Sequence, residues 1–318
     1  MNVQRKKIVS LLCTVALGLV IQGMVPLQAQ AVKYIVLSPK NTLSLTYDST
    51  QEVYGNVTAN LTTDKGSTDL NYYVTFNPAP GNRFFTNGSY SIPFEIYDNP
   101  QLPRRVLYDD LRATSADQVL AGIFPTPSNI HKTPTDTRTF TVVAVPGGFA
   151  PAGTYTATLT ASFWAGAFKT GTLKAQAQLS LVLQVNQILN IVAVPVGASF
   201  DYTATRATVD FGYLEAGSVR SLDLIARANT TYGLSIASTN GGILRNADSG
   251  DSSFIPYELR VNGTPLTLPA GLSIPIVSSR PATTVDGDRF NVSAVIQSFD
   301  FPTEGLYSDI LTVTIAKN

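Results

Sequence analysis

Side chains that could do chemistry are few and widely separated in this chain of 318 residues. The only histidine, His131, lies in the polar segment SNIHKTPTDTR. Two acidic pairs, Asp109-Asp110 and Asp286-x-Asp288, could suggest calcium, but neither offers the spaced oxygen ligands of a calcium loop. We interpret the histidine as a solvated loop residue and the carboxylates as ordinary turn residues. With no nucleophile elbow, phosphate-binding loop or dinucleotide fingerprint, the sequence predicts no catalytic residue, metal site or cofactor, and no enzyme.

The first residues predict a secreted protein. Three basic residues at positions 5–7 precede an apolar run at 8–20, and the sequence AQA supplies, at Ala29 and Ala31, the small residues that signal peptidase accepts. This is the layout of a cleavable signal peptide covering residues 1–31. The alternative is an uncleaved membrane anchor.

Composition narrows the range of partners. Removing residues 1–31 takes three of the 22 basic residues and none of the 22 acidic ones, which leaves a net charge of −3. Since no basic run remains, we expect no nucleic-acid partner. The only cysteine, Cys13, lies inside the predicted signal, so the mature chain has no disulfide and no thiolate metal site. A charged fraction of 14% is low, and Thr and Ser rich surfaces are typical of extracellular β-proteins.

Alternating apolar and polar residues predict β-strands through most of the chain. Gly and Asn pairs that take positive φ at little cost separate them, at Asn87-Gly88, 240–242 and Asn262-Gly263. One helical turn is predicted, at 115–122. The predicted strands are 71–76, 91–98, 138–145, 153–166, 173–185, 221–226, 232–236, 254–263, 289–296 and 305–318. Many short strands with such turns indicate a β-sandwich fold.

Four ordered matches predict that one β-domain occurs twice. The alternative is coincidence among strand-rich segments. The matches are YYVTF at Tyr72 with YGLSI at Tyr232, IPFEI at Ile92 with IPYEL at Ile255, TFTV around Phe140 with RFNV around Phe290, and GTYTATLT at Gly153 with GLYSDILT at Gly305. We therefore predict an N-terminal β-sandwich at 32–186 and a second β-domain at 187–318.

The second copy resembles a known domain. IPYELRVNG, followed after a variable stretch by GLYSDILTVTIAKN, is similar to the spore coat protein U domain of archaic (Csu-type) chaperone–usher pilins. The first copy is a looser match, because Asp309 of the family's Tyr-x-Asp pattern is replaced by Ala157. Family members usually carry a cysteine pair, which the mature chain lacks. The resemblance implies tandem immunoglobulin-like sandwiches in an all-β protein.

The copies differ at one strand. Copy one continues past its 153–166 strand into a second alternating segment, 173–185, whereas copy two has no such segment after its own. A sandwich without its final strand exposes an apolar groove and an unpaired edge, and another chain can fill both by strand addition. We predict the acceptor groove at Tyr307, Leu311, Val313 and Ile315.

The resemblance implies the route of assembly. In such pilins a periplasmic chaperone lends the strand, an outer-membrane usher exports the subunit, and the adjacent pilin subunit replaces the chaperone's strand. The expected location is the periplasm in transit and then the fimbrium at the cell surface.

Copy one and copy two open with similar segments, VKYIVLSP (32–39) and LNIVAVPVG (189–197). If both open a sandwich, no spare strand precedes the first domain. The expectation is then a tip subunit that accepts a strand and donates none. The alternative is that residues 32–45 are a donor strand and the protein lies within the shaft.

Two apolar loops are candidates for adhesion. The longer version of a loop, 100–138, contains Val119, Leu120, Ile123 and Phe124, and PGGFAPAG contains Phe149 between glycines. Apolar loop ends at one pole of a sandwich would form a contact surface for a hydrophobic surface or a host ligand. Alternatively, the same side chains fold back as a lid on the first domain.

The function predicted from the sequence is a structural and adhesive subunit of an archaic chaperone–usher pilus. It would be joined to the next subunit by donor-strand complementation. The alternative is a secreted spore-coat or extracellular-matrix protein that self-associates through the open sheet edge.

Overall fold

The protein is all-β in a computed structural model that describes residues 34–64, 70–126, 132–247 and 252–318. The predicted signal peptide, with Ala29 and Ala31, lies outside these ranges. The described residues belong to one compact unit. Among the described residues, no helix is long and apolar enough to cross a membrane.

The first ten strands build one β-sandwich. One face has the order β1-β3-β8-β6, the other contains β7-β4-β9-β10-β2, and β5 joins β6 to β9. Most neighbours are antiparallel, while β2 and β10 run parallel. The strands are β1 (Ile35–Ser38), β2 (Thr42–Thr46), β3 (Val53–Thr62), β4 (Asn71–Asn77), β5 (Phe84–Asn87), β6 (Tyr90–Tyr97), β7 (Leu120–Ile123), β8 (Thr135–Ala144), β9 (Gly153–Ala165) and β10 (Thr172–Val185).

The remaining ten strands build a second sandwich with a smaller second sheet. One sheet has the order β11-β12-β18-β15-β14-β19, with β16 paired to β15, and the other has only β17-β13-β20. The strands are β11 (Leu189–Val194), β12 (Val219–Ala228), β13 (Tyr232–Ser238), β14 (Ile243–Asn246), β15 (Phe254–Val261), β16 (Thr264–Leu266), β17 (Ser273–Arg280), β18 (Asp288–Ile296), β19 (Tyr307–Ser308) and β20 (Leu311–Lys317).

The predicted punctuation of the strands is confirmed. Gly88, Gly241 and Gly242 have positive φ, and the two-residue turn of the β15–β16 hairpin, Asn262-Gly263, has φ of 49° and 81°. Positive φ at both positions suits the right-handed twist of the flanking strands. The predicted helical turn is shorter, a 3₁₀ turn at Ala116–Gln118, because the residues after it extend into β7.

The internal repeat is visible in the strand registers. Tyr72 pairs with Ala165 and Tyr232 with Lys317, which keeps the 152-residue spacing of the final strands. The opening segments of the two sandwiches also occupy equivalent places. β1 pairs with β3 in the first sandwich, and β11 pairs with β12 in the second.

One of the four sequence matches is wrong by two residues. Phe94 pairs with Ala144, and its counterpart Tyr257 pairs with Ile296, again 152 residues further on. In this register the counterpart of Phe140 is residue 292 and not residue 290, because the alternation of β18 tolerates a two-residue slip without changing which side chains face the core.

The two sandwiches differ in how well their cores are covered. Among the described residues, the first core has 27 buried apolar residues and 10 partly buried ones packed against it. The second has 13 buried and 18 partly buried. The predicted fold class, two tandem sandwiches with an incomplete second one, is confirmed. The domain boundary at 186/187 stays a prediction; it falls between the end of β10 and the start of β11.

Candidate strand-acceptor site

Strand β20 is paired along one edge. Over its whole length, from Leu311 to Lys317, it pairs with β13, which is its only strand partner among the described residues. The corresponding strand of the first sandwich, β9, pairs with β4 on one side and with β10 along the other. The unpaired edge of β20 is therefore the place that β10 fills in the first sandwich.

The inward side chains of β20 show the effect of the missing neighbour. Leu311, Val313 and Ile315 pack against the second core but are only partly buried. Their counterparts in β9 include Leu159 and Phe163. These side chains are fully buried in the first core, where β10 pairs with β9. The predicted groove residues on β20 thus present apolar surface that the first sandwich covers.

The opposite wall of this flank is β11. Its Cα atoms come within 8 Å of those of β20, and Leu189, Ile191 and Ala193 are partly buried against the same core. In the first sandwich the equivalent strand β1 lies against β10 instead, and Ile35 and Leu37 are buried. Apolar side chains of both sheets therefore line the open flank.

Tyr307 does not belong to the β20 ladder. The sequence predicts one continuous strand from Gly305 to Asn318. In the structure this strand is interrupted at Asp309 and Ile310. Tyr307 lies in β19, which pairs with β14 of the other sheet, and its hydroxyl donates to the carbonyl of Thr303 at 2.7 Å. Its ring is partly buried against the second core.

The Asp309 carboxylate stabilises the interruption between β19 and β20. It accepts hydrogen bonds from the hydroxyls of Ser238 and Tyr257, both at 2.6 Å, and from the backbone N–H of Asn240 at 3.0 Å. Ser238 belongs to β13 and Tyr257 to β15, so one carboxylate joins the two sheets beside the open flank. Burial, together with the bond to Asp309, raises the pKa of Tyr257. We name Asp309, Ser238 and Tyr257 the Asp309 clasp.

The other edge of the small sheet is less suited to accept a strand. It is formed by β17, which contains Pro275 and ends in Arg280. Proline lacks the N–H that a ladder needs, and charged residues on an edge discourage pairing. The edge of β20 contains no proline between Leu311 and Lys317; both strands end in a basic residue, so Pro275 is the difference between the two edges.

A tyrosine–aspartate–arginine group recurs in both sandwiches. Tyr232 donates to Asp288 at 2.6 Å, and Arg280 donates to the same oxygen at 2.9 Å. In the first sandwich Tyr72 donates to Asp136, and Arg138 donates to the hydroxyl of Tyr72 at 2.7 Å. The second acidic pair considered for calcium therefore has a structural partner for Asp288. Sequence reasoning missed these groups, because the spacing of the aspartate and arginine differs between the copies.

The first acidic pair lies at a turn. The carbonyl of Asp109 accepts the N–H of Ala113 at 3.0 Å, and the ammonium of Lys169 lies 3.8 Å from the carboxylate of Asp110. Among the described residues, no group of three or more His, Cys, Asp or Glu side chains could hold a metal ion. His131 lies outside the described residues.

Three of the five predicted adhesive side chains are buried. Val119, Leu120 and Phe124 are between 2% and 9% exposed, and Phe124 packs against Tyr72 in the first core. The sequence leaves open whether these side chains are exposed or fold back as a lid, and their burial favours the second alternative. Because β7 pairs with β4, Leu120 and the following Phe124 enter the first core, while Val119 packs in a separate cluster with Tyr73 and Ala113. Ile123, at the end of the same strand, is 66% exposed.

The two predicted adhesive loops lie at opposite ends of the first sandwich, not at one pole. Ile123 pairs with Asn71, beside the end of β9, whereas Phe149 immediately precedes the start of β9 at Gly153. The 13 residues of β9 place these ends roughly 40 Å apart at about 3.3 Å per residue. Phe149 is partly buried against the second sandwich.

Sequence reasoning also missed two features of the long loop. Leu111, near Lys169 of the β9–β10 turn, is 91% exposed. Arg83 is fully buried, and its guanidinium donates to Glu95 at 3.0 Å and to the carbonyl of Leu107 at 2.7 Å. This buried arginine anchors the loop that leads to Leu111.

Comparison with known proteins gives matches only among solved structures. No protein-family model and no curated protein matches the sequence, so the resemblance to the spore coat protein U domain stays a prediction. A chain of the complex between the chaperone CsuC and the tip adhesion subunit CsuE, from archaic chaperone-usher Csu pili of Acinetobacter baumannii, is 14% identical. That match covers 86% of this chain and 97% of the other, with a TM-score of 0.43.

Two further structures are similar at lower scores. The CupB6 tip adhesin from Pseudomonas aeruginosa is 12% identical, covering 83% of this chain and 86% of the other, with a TM-score of 0.38. CfaE, the adhesive subunit of the CFA/I fimbria of enterotoxigenic Escherichia coli, is 11% identical, covering 86% and 91%, with a TM-score of 0.35. Because these TM-scores lie below 0.5, the matches alone establish neither a common topology nor a function.

Proposed function

We propose that this protein is a secreted subunit of a surface fibre of the chaperone–usher pilus type. Its second sandwich accepts a β-strand from another chain along the free edge of β20. The observation that carries the proposal is the difference between β9, paired on both sides, and β20, paired on one. The partners are a periplasmic chaperone, an outer-membrane usher and the adjacent subunit, as the sequence resemblance implies.

The first sandwich supplies a template for the incoming strand. In β10, the residues that alternate into the first core are Leu179, Leu181, Leu183 and Val185, and they are 0–4% exposed. A strand that fills the equivalent place on β20 runs antiparallel to it and places apolar side chains at every second position. Each fully buried one contributes about 1.5–3 kcal/mol.

An end position in the fibre is part of the proposal. Residues 35–38 and 42–46 form β1 and β2 of the first sandwich, so they serve its own sheets. This use of the segment supports the tip subunit over the alternative in which residues 32–45 are a donor strand. The adhesive surface would then lie on the first sandwich, at the end that carries Ile123 and Leu111.

The test uses the protein's own β10 as the probe. A synthetic peptide of residues 173–185 is titrated into the full mature chain, and a matched peptide carries Ser in place of Leu179, Leu181 and Leu183. We expect saturable binding of the first peptide and a rise of the melting temperature of about 10 °C or more, since 1 kcal/mol shifts a domain of this size by about 2–8 °C. The serine peptide should not bind.

Two outcomes would overturn the proposal. Equal effects of the two peptides would mean that the apolar pattern is not recognised. The second outcome is a concentration-dependent oligomer that the peptide does not dissociate. It would mean that the free edge pairs with a second copy in preference to the peptide, which favours the self-associating coat or matrix protein.

A further inference from the structure

The loop between β8 and β9, residues 145–152, lies against the second sandwich. The N–H of Ala152 donates to the carbonyl of Asn229 at 2.8 Å. The guanidinium of Arg227 lies 5.0 Å from the ring centre of Phe149. Both Arg227 and Asn229 are at the end of β12. A loop of the first sandwich is therefore held by the second.

Asn229 joins three segments of the chain. Its side-chain oxygen accepts the N–H of Ile188 at 2.7 Å, and its Nδ2 donates to the carbonyls of Asn186 at 2.8 Å and Ala150 at 3.1 Å. The residue is 1% exposed. The short connector between β10 and β11, the β8–β9 loop and the end of β12 thus meet at one buried amide.

Arg227 makes a second, independent contact across the same boundary. Besides Phe149, its guanidinium lies 5.6 Å from the ring centre of Phe200 and 5.7 Å from that of Tyr202. Its Nη1 donates to the hydroxyl of Tyr202 at 2.8 Å. A cation held among aromatic faces is attracted by each ring, and more strongly when water is excluded. One ring comes from the first sandwich and two from the second.

We propose that Asn229 and Arg227 form a rigid junction that fixes the orientation of the two sandwiches, with Phe149 as its docking side chain. Domains within one chain are otherwise expected to move relative to each other. Here, separation would exchange the hydrogen bonds of Asn229 with Ala150 and Ala152 for bonds to water and would remove Phe149 from the guanidinium of Arg227. Phe149, expected from the sequence to be adhesive, is an internal contact in this proposal.

The junction has a consequence for a fibre subunit. A contact at the far end of the first sandwich is transmitted to the β20 edge through a fixed connection and not through a flexible linker. The proposal itself does not depend on strand acceptance, since none of the contacts of Asn229 and Arg227 described here involves β20.

The test measures the distance between one label on each sandwich. Ser91→Cys in β6 and Ser221→Cys in β12 place spin labels at exposed strand positions. The only native cysteine, Cys13, lies in the predicted signal peptide, so the mature chain offers no other thiol for labelling. Double electron–electron resonance on the full mature chain should give a single narrow distance distribution. Asn229→Asp keeps the acceptor for Ile188 but loses the two donors, and we expect it to broaden the distribution about twofold.

Matched variants make the result decisive. Phe149→Ala should broaden the distribution in the same direction, whereas Asn82→Asp, an exposed turn position, and Arg206→Ala should leave it unchanged. Near-ultraviolet circular dichroism checks that both cores remain folded. If Asn229→Asp fails to fold, Phe149→Ala decides alone, because Phe149 belongs to neither core. A broad distribution in the parent, or unchanged widths in both junction variants, would overturn the proposal.

Discussion

Asp309 replaces a small apolar residue of the first sandwich with a charge. Its counterpart there is Ala157, which is partly buried against Leu181 of the neighbouring strand β10. In the second sandwich, where that strand is missing, the Asp309 clasp joins both sheets instead. We infer that the clasp holds the sheets in place at the flank that has no closing strand.

Asp309→Asn tests this role. Asparagine has the same size but loses the charge that strengthens the bonds from Ser238 and Tyr257, so we expect the free energy of unfolding of the second sandwich to fall by about 1.5–3 kcal/mol. Urea denaturation of the full mature chain measures it. Asp300→Asn, at an exposed position, is the control. Equal losses in the two variants would contradict the role of the clasp.

The buried tyrosines predict a pH dependence on the alkaline side. Burial, and then the hydrogen bond to Asp136, raise the pKa of Tyr72 to about 12. The unfolded chain releases this proton near the ordinary pKa of about 10, so the stabilisation is fully present below pH 10 and is lost as the pH rises through 12.

Tyr72→Phe removes this one titration. Between pH 10 and pH 11.5 we expect the unfolding free energy of the parent to fall more steeply with pH than that of the variant, as measured by urea denaturation at each pH. Part of the slope should remain, because the pKa values of Tyr232 and Tyr257 are raised as well. Identical slopes would mean that Tyr72 ionises equally easily in both states.

The sequence predicts side chains better when their role follows from a local pattern. Leu311, Val313 and Ile315 were correctly placed on one face by period-two alternation. Phe149 was not, because its partner Arg227 lies 78 residues away and nothing in the local pattern indicates that contact. The partners of Asp309 come from two other strands, and the local sequence pattern does not predict them either.

At the level of elements, β20 makes the inward face of the acceptor and β13 supports it. Val313→Ser should weaken binding of the 173–185 peptide by about tenfold or more, since losing one buried apolar side chain costs at least about 1.4 kcal/mol, a factor of ten. Isothermal titration calorimetry measures the affinity. Thr314→Ser, on the outward face of the same strand, should bind as the parent does; a larger loss there would contradict the assigned face.

Many strands could be read from alternation, but two long ones, β3 with ten residues and β17 with eight, were missed along with the short ones. β4, β6, β9, β10 and β13 match their predicted spans closely, because each has a full apolar face. The division of the last predicted strand into β19 and β20 was missed. Alternation continues across the break, while the change of sheet is caused by hydrogen bonds to Asp309 that a one-dimensional pattern does not contain.

In the molecule as a whole, the exposed apolar residues near the far end of the first sandwich include Ile123 and Leu111. If this end is adhesive, replacing both with Ser should reduce attachment of the purified chain to polystyrene by at least about half without changing its melting temperature. Leu306→Ser, an exposed position in the second sandwich, is the control. Phe124→Ser is unsuitable, because that side chain is buried in the first core and its loss should unfold the sandwich.

One edge of β20 is open in the chain alone and would be closed by an added strand. In antiparallel pairing, alternate residues direct their N–H groups to opposite neighbours, so about half the amides of Leu311–Lys317 should face away from β13. Hydrogen exchange by NMR compares the mature chain alone with the chain bound to the 173–185 peptide. We expect alternate β20 amides to exchange fast in the chain alone and to become protected in the complex. Protection of every β20 amide in the monomeric chain alone, or no change on binding, would contradict it.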